Sequence, residues 1–248
     1  MSGLDWLTAR PIAHRGLHDA AAGVIESTAA AFNAAIAGGY GIETDLQLSA
    51  DGEAMVYHDD ALGRLTEDSG RLADLTVAQL KVVRYKVGRD RILTLGELCD
   101  LVAGRVTLLL ELKSRFDGDL GLVQRVAAVL KRYAGPVAVM SFDPALVGGF
   151  RTITPRLTRG IVAERCYADS EWDQLPSYAK WRMGHLLHAP RSRPMFIAYR
   201  VKDLPAPAPW IARTISGLPL LTWTVRSEAD RRIAARWTDQ VIFEGFRP

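Results

Sequence analysis

Short apolar runs recur along the chain at 11–14, 41–48, 106–112, 137–141, 157–163, 195–200, 219–225 and 240–244. Each is rich in aliphatic or β-branched residues and too short for a typical helix, so each is expected as a strand. Between most of them the apolar period lengthens. The segment 27–37 is Ala-rich, with Phe32 and Ile36 four residues apart. At 120–133, Val123, Val126, Ala127 and Leu130 fall on one helical stripe. The segment 227–237 opens on Ser227-Glu228-Ala229-Asp230, an N-cap followed by acidic first-turn residues. Eight strands alternating with helices over this length predict an α/β fold, a TIM (β/α)8 barrel. The competing doubly wound sheet often carries a Gly-rich phosphate turn after its first strand. Here that position reads His14-Arg15-Gly16-Leu17, which lacks the dinucleotide fingerprint. The pair Gly38-Gly39 ends a helix, a common use of glycine.

One connection breaks the rhythm. About fifty residues separate the second and third barrel strands, far more than a usual link. They hold a further strand at 54–58, a polar stretch at 66–70 and two helical pieces at 76–84 and 94–103. This reads as one barrel domain over 1–248 with an insertion after the second barrel strand, at about 59–104. Pro205-Ala206-Pro207-Ala208-Pro209 is a stiff lead into a helix.

Apolar residues make up 48% of the chain and charged residues 24%, which excludes a disordered or charge-block chain. With 31 basic and 28 acidic residues the formal net charge is +3, and no Lys/Arg patch marks a nucleic-acid binder. Cys99 and Cys166 are far apart and form no metal or disulfide pattern, so both are expected as buried thiols in a reducing compartment. The N-terminus lacks a leader pattern and no apolar run is long enough to span a bilayer, so a cytoplasmic location is expected.

The candidate chemistry follows the strands. Glu43 and Asp45 are two apart in one strand and share a face, as do Glu111 and Lys113 at the end of another. His14 ends the first strand, and barrel sites gather at the C-terminal ends of strands. Three carboxylates near a histidine suit a hard divalent cation such as Mg²⁺ or Ca²⁺. Asp51-Gly52 is a hairpin signal. If these two residues form the loop, His58 stands opposite Asp45, although a bulge would shift that register. His18, His185 and His188 are expected to be structural or surface residues. Taken singly, such carboxylates can be solvated and Trp223 can be core.

Their order along the chain carries more weight. Ile12-Ala13-His14-Arg15-Gly16 is followed by Glu26-Ser27-Thr28, Ala31-Phe32 and Ala35. Then come Gly41-Ile42-Glu43-Thr44-Asp45, Asp51-Gly52 and Val56-Tyr57-His58-Asp59. This series resembles the glycerophosphodiester phosphodiesterase family. The resemblance extends through Leu110-Glu111-Leu112-Lys113, Ser141-Phe142-Asp143 and Thr222-Trp223-Thr224-Val225, nearly the whole chain. It implies a TIM barrel with a small insertion. It also implies hydrolysis of glycerophosphodiesters to glycerol 3-phosphate and an alcohol, with a divalent cation (Mg²⁺, Ca²⁺ or Mn²⁺). By position, the resemblance makes Glu43, Asp45 and Glu111 the metal ligands and His14 and His58 the acid–base pair. Arg15 and Lys113 would contact phosphate, and Phe142 and Trp223 would line the glycerol or alcohol side.

The chain departs from the family pattern in three places. The usual Pro-Glu-Asn-Thr reads Ile25-Glu26-Ser27-Thr28. Arg226 stands where Asn usually follows the Trp-Thr-Val segment. Glu244-Gly245 replaces the usual Thr-Asp near the last strand. Two other readings stand beside the leading one. A lysophospholipase D-like hydrolase would take longer lysolipids, with Trp210, Ile211 and Phe246 as candidate acyl contacts. A non-catalytic phosphate-binding barrel would keep the scaffold alone.

Overall fold

The computed structural model describes residues 3–248. Its strands are β1 (Ile12–His14), β2 (Gly41–Leu48), β3 (Ala54–Val56), β4 (Ala61–Leu62), β5 (Gly70–Arg71) and β6 (Leu108–Leu112). They continue as β7 (Val137–Ser141), β8 (Thr158–Ala163), β9 (Phe196–Arg200), β10 (Leu220–Val225) and β11 (Gln240–Phe243). Eight of these, β1, β2 and β6 through β11, pair in parallel. Pairing of β1 with both β2 and β11 closes the ring. The fold is the TIM barrel expected from the alternation of apolar runs.

Side chains alternate between the two faces of each strand, and this alternation builds the site. Ile12, Leu109, Met140, Val162, Ala198, Leu221 and Ile242 belong to one buried cluster, joined by Leu7 of the short helix Asp5–Thr8. Two residues further along the same chain segments stand His14, Glu111, Phe142, Glu164, Arg200, Trp223 and Glu244. The inward face thus turns from apolar to polar and aromatic toward the C-terminal strand ends. The opposite faces, with Ala13, Ile42, Leu108, Leu110 and Val139, pack against Phe32, Ala35, Val123 and Val126 of the surrounding helices. Each buried Val, Leu, Ile, Phe or Met side chain among them contributes about 1.5–3 kcal/mol.

The helices begin where hydroxyl caps allow. Thr28 caps Ala29–Ala37, and Ser227 caps Glu228–Trp237 by accepting from the Asp230 amide. The expected helix at 120–133 forms over Gly121–Leu130. Thr76 and Thr94 each close a capping box, with Gln79 and Glu97 respectively.

Three expectations change. The helix Leu95–Val102 was expected within the insertion, but Leu95, Leu98, Cys99 and Val102 lie in the main core with Phe32 and Ala35. The residues before it have their own core of Met55, Tyr57, Leu62, Leu72, Leu80, Val83, Tyr85 and Ile92. The hairpin register is also one residue out of step, pairing Leu46 with Val56 and Leu48 with Ala54. The Ser49 amide donates to the Glu53 carbonyl at 2.9 Å, leaving three residues in the loop. Cys166 is exposed, whereas Cys99 is buried as expected. Among the described residues no helix is long and apolar enough to cross a membrane.

Candidate active site

The C-terminal strand ends open into a cavity of about 800 Å³, whose lining includes His14, Arg15, Asp45, His58, Glu111, Lys113, Phe142 and Trp223. Glu43 is buried beside two lining residues, accepting the Arg15 amide at 3.1 Å, with its carboxylate 3.9 Å from His14 Nε2. All nine residues singled out from the sequence therefore meet at one place. Register explains much of this, because His14 aligns with Glu43 and Asp45 aligns with Glu111 on neighbouring strands.

Arg15 and Gly16 turn sharply after β1, with φ values of 56° and 78°. A Cβ on Gly16 would stand 2.9 Å from the Cβ of Ala31, so the turn needs glycine for both conformation and space. The turn sends the Arg15 guanidinium to Glu26 at 2.7 Å and to within 3.6 Å of Asp45. The slipped register places Tyr57 rather than His58 across from Asp45, with the Tyr57 amide donating to the Asp45 carbonyl at 3.1 Å. His58 still reaches the cavity. The strand stops at Val56, and the Gln47 side-chain amide gathers the carbonyls of Tyr57, His58 and Asp59 at 2.9, 3.1 and 2.7 Å.

Glu43, Asp45 and Glu111 are buried, and one ligand oxygen from each lies within 4.8 Å of the others. Burial, reinforced by the charges of Asp45 and Glu111, pushes Glu43 well above the ordinary carboxylate range. Burial would raise Asp45 too, but Lys113, His58 and Arg15 outweigh it and hold Asp45 well below that range. Lys113 Nζ bridges Asp45 and Glu111 at 2.8 Å to each. Asp45 Oδ2 is buried without a hydrogen-bond partner. Three close carboxylates, with one Asp45 oxygen left unpartnered, fit a hard divalent cation that would relieve their mutual repulsion.

Each histidine meets a carboxylate that an arginine holds. His14 Nδ1 lies 2.6 Å from Glu244 Oε2, which accepts Arg226 at 2.8 Å. His58 Nδ1 lies 2.8 Å from Asp59 Oδ1, and Arg64 donates to both Asp59 oxygens at 2.6 and 3.0 Å. Burial lowers the His14 imidazole, opposed by its hydrogen bond to Glu244. The arginines Arg15 and Arg64 also share Glu26, each at 2.7 Å.

The far wall is aromatic. Phe142 meets Trp223 edge-on with centroids 5.5 Å apart and Trp172 at 4.7 Å, while Phe116 meets Trp172 at 6.1 Å. Phe116 and Trp172 carry no motif, and only their position in the fold brings them to the wall. Trp210 and Ile211 are exposed on the helix Pro207–Thr214, and with Phe246 they stand outside the cavity lining. His185 is exposed with Nδ1 2.8 Å from the Trp181 carbonyl, and buried His188 pairs with Ser192; neither lines the cavity.

The profile of the Glycerophosphoryl diester phosphodiesterase family matches residues 14–245. A glycerophosphodiester phosphodiesterase of Caldanaerobacter subterraneus subsp. tengcongensis is 31% identical over 161 residues, spanning 61% of this chain and 65% of that relative. The match therefore spans just under two thirds of the relative's length. A solved protein from Silicibacter pomeroyi superposes with a TM-score of 0.76 at 25% identity, covering 94% of this chain and 89% of that one. An Oleispira antarctica phosphodiesterase, solved with its product sn-glycerol-3-phosphate, superposes with a TM-score of 0.75 at 20% identity. That alignment covers 96% of this chain and 94% of the Oleispira protein.

Proposed function

The chain belongs to the glycerophosphoryl diester phosphodiesterase family, and we propose that it hydrolyses glycerophosphodiesters to glycerol 3-phosphate and an alcohol. The observation that carries this reading is the buried trio Glu43, Asp45 and Glu111 beside two carboxylate-bound histidines in one cavity. The product bound to the Oleispira relative supports the same substrate class. In this reading Glu43, Asp45 and Glu111 hold a divalent cation, Mg²⁺, Ca²⁺ or Mn²⁺. Such an ion, when bound, polarises a phosphoryl oxygen and offsets charge in the transition state.

The remaining work belongs to side chains. A nucleophilic oxygen, from the vicinal glycerol hydroxyl or from water, loses its proton to one imidazole as its bond to phosphorus forms. The bond from phosphorus to the leaving alkoxide breaks as the other imidazole supplies that oxygen with a proton; where the glycerol hydroxyl has attacked, water then opens the resulting cyclic phosphate to glycerol 3-phosphate. A positioned acid–base pair contributes about 10²–10⁴ in rate. Arg15 and Lys113 contact the phosphate by exchanging part of their carboxylate pairing for phosphoryl oxygens. Phe142 and Trp223 face the glycerol or alcohol portion.

The test is a panel of choline, ethanolamine, glycerol and inositol diesters, assayed for glycerol 3-phosphate after metal stripping. Release restored by a divalent cation and abolished by EDTA is expected. No release from any diester overturns the activity, and full release in excess EDTA overturns the metal requirement.

A further inference from the structure

Two of the positions where this chain departs from the family pattern meet in space. Arg226 follows β10 and Glu244 follows β11, and Arg226 Nη2 donates to Glu244 Oε2 at 2.8 Å. The same carboxylate oxygen lies 2.6 Å from His14 Nδ1, a residue 230 positions earlier in the chain. Backbone pairing fixes this meeting, because β1 and β11 are neighbours, with Ala13 aligned to Phe243.

An ionised carboxylate only accepts hydrogen bonds. Burial would favour its neutral form, but the bonds from His14 and Arg226 outweigh that and lower Glu244 well below the ordinary carboxylate range. The short contact to His14 therefore requires the proton on Nδ1. Nε2 of the neutral ring then carries the lone pair. It stands 3.9 Å from Glu43 Oε2, beyond hydrogen-bond range, and faces the acidic trio.

We propose that Glu244 and Arg226 act together as positioning residues that hold His14 in the Nδ1-protonated tautomer with Nε2 toward the reacting phosphate. Glu244 accepts the hydrogen bond from the Nδ1–H, and Arg226 anchors Glu244. His58 has a parallel arrangement through Asp59 and Arg64, but there the carboxylate is its chain neighbour. On the His14 side the carboxylate and arginine come from two separate strand ends. Without Arg226, Glu244 would lose the contact that anchors it beside His14. This inference rests on the reading of His14 as a reacting group, so its test includes a readout independent of turnover.

The experiment compares wild type with Glu244→Ala, Glu244→Gln, Arg226→Ala and the Glu244→Ala/Arg226→Ala double variant. Imidazole ¹⁵N NMR, assigned to His14 by its absence in His14→Ala, reports the tautomer in metal-free protein under conditions where the ring is neutral. Wild type should show Nδ1 protonated, and Glu244→Ala should move population to the Nε2-protonated form. Glu244→Gln, whose amide oxygen still accepts, should keep more of the wild-type tautomer. With a glycerophosphodiester and saturating Mg²⁺, Glu244→Ala should lose about 10- to 100-fold in kcat, with KM changed less than about threefold. Arg226→Ala should lose less, and the double variant no more than Glu244→Ala, because the two act through one contact. An unchanged His14 tautomer in Glu244→Ala overturns the proposal even if turnover falls. Additive losses in the double variant overturn the joint role. A shifted tautomer together with full turnover in His14→Ala instead overturns the catalytic reading of His14 and leaves the structural pairing intact.

Discussion

Replacing Lys113 by Met tests whether the acidic trio is a cation site or an ordinary ion-pair network. Lys113 bridges two buried carboxylates, Asp45 and Glu111, whose side chains are 3% and 10% exposed. Removing one partner of a buried pair costs about 3–5 kcal/mol. Lys113 is itself 27% exposed, and Arg15 remains 3.6 Å from Asp45, so the cost is discounted below that range, to about 2–3 kcal/mol. Met keeps most of the stem packing, which isolates the charge. At about 2–4 °C per kcal/mol, Tm in EDTA should fall by about 4–12 °C. A divalent cation supplies the missing positive charge, so excess Mg²⁺ should raise Tm more in Lys113→Met than in wild type. Thermal unfolding followed by circular dichroism, with and without Mg²⁺, measures both quantities. A Tm in EDTA within about 1 °C of wild type, or equal Mg²⁺ increments in the two proteins, would refute the reasoning.

The remaining predictions address the histidines and the turn. His14→Ala and His58→Ala should each lower kcat by about 10²–10⁴, read as glycerol 3-phosphate release; near-normal turnover in either removes that residue from the acid–base pair. Burial lowers the His188 imidazole from 6.5 to about 4, so the unfolded chain takes up a proton that the folded chain does not. Stability from this group is complete above its unfolded value and is lost as pH falls through 6.5 toward 4, by about 2 kcal/mol at pH 5. Urea unfolding of His188→Leu should lose less stability than wild type between pH 7 and pH 5, and parallel losses would contradict the account. Gly16→Ala should cost about 1–3 kcal/mol and reduce turnover, because the left-handed turn carries Arg15; an unchanged urea midpoint would refute the strain.

The barrel was legible because its strands, packed on both faces, read as short apolar runs bounded by polar segments. Glu43 and Asp45 were legible as a pair because strand period puts them on one face, and Glu111 joined them through its place at the end of another strand and the family resemblance. The hairpin was misread by one residue because its loop length depends on a Ser49–Glu53 closure that competes with the Asp-Gly signal. His58 nevertheless reaches the cavity through Gln47, a long-range contact without a sequence signature. The helix Leu95–Val102 looked like part of the insertion because position in the chain does not reveal which core a helix joins. Glu244 was visible only as a departure from a motif. Its partner His14 lies at the other end of the chain, and barrel closure alone brings them together.

The central claim is that Glu43, Asp45 and Glu111 together hold the cation on which hydrolysis depends. A crystal structure of the Mn²⁺-loaded protein, with Mn²⁺ located by anomalous scattering, tests it most directly. The account predicts a peak at coordination distance, about 2.0–2.6 Å, from an oxygen of each of the three carboxylates, with Lys113 withdrawn from its bridge between Asp45 and Glu111. Mn²⁺-dependent turnover with the ion bound elsewhere, or with Lys113 still bridging an ion-free trio, would contradict it.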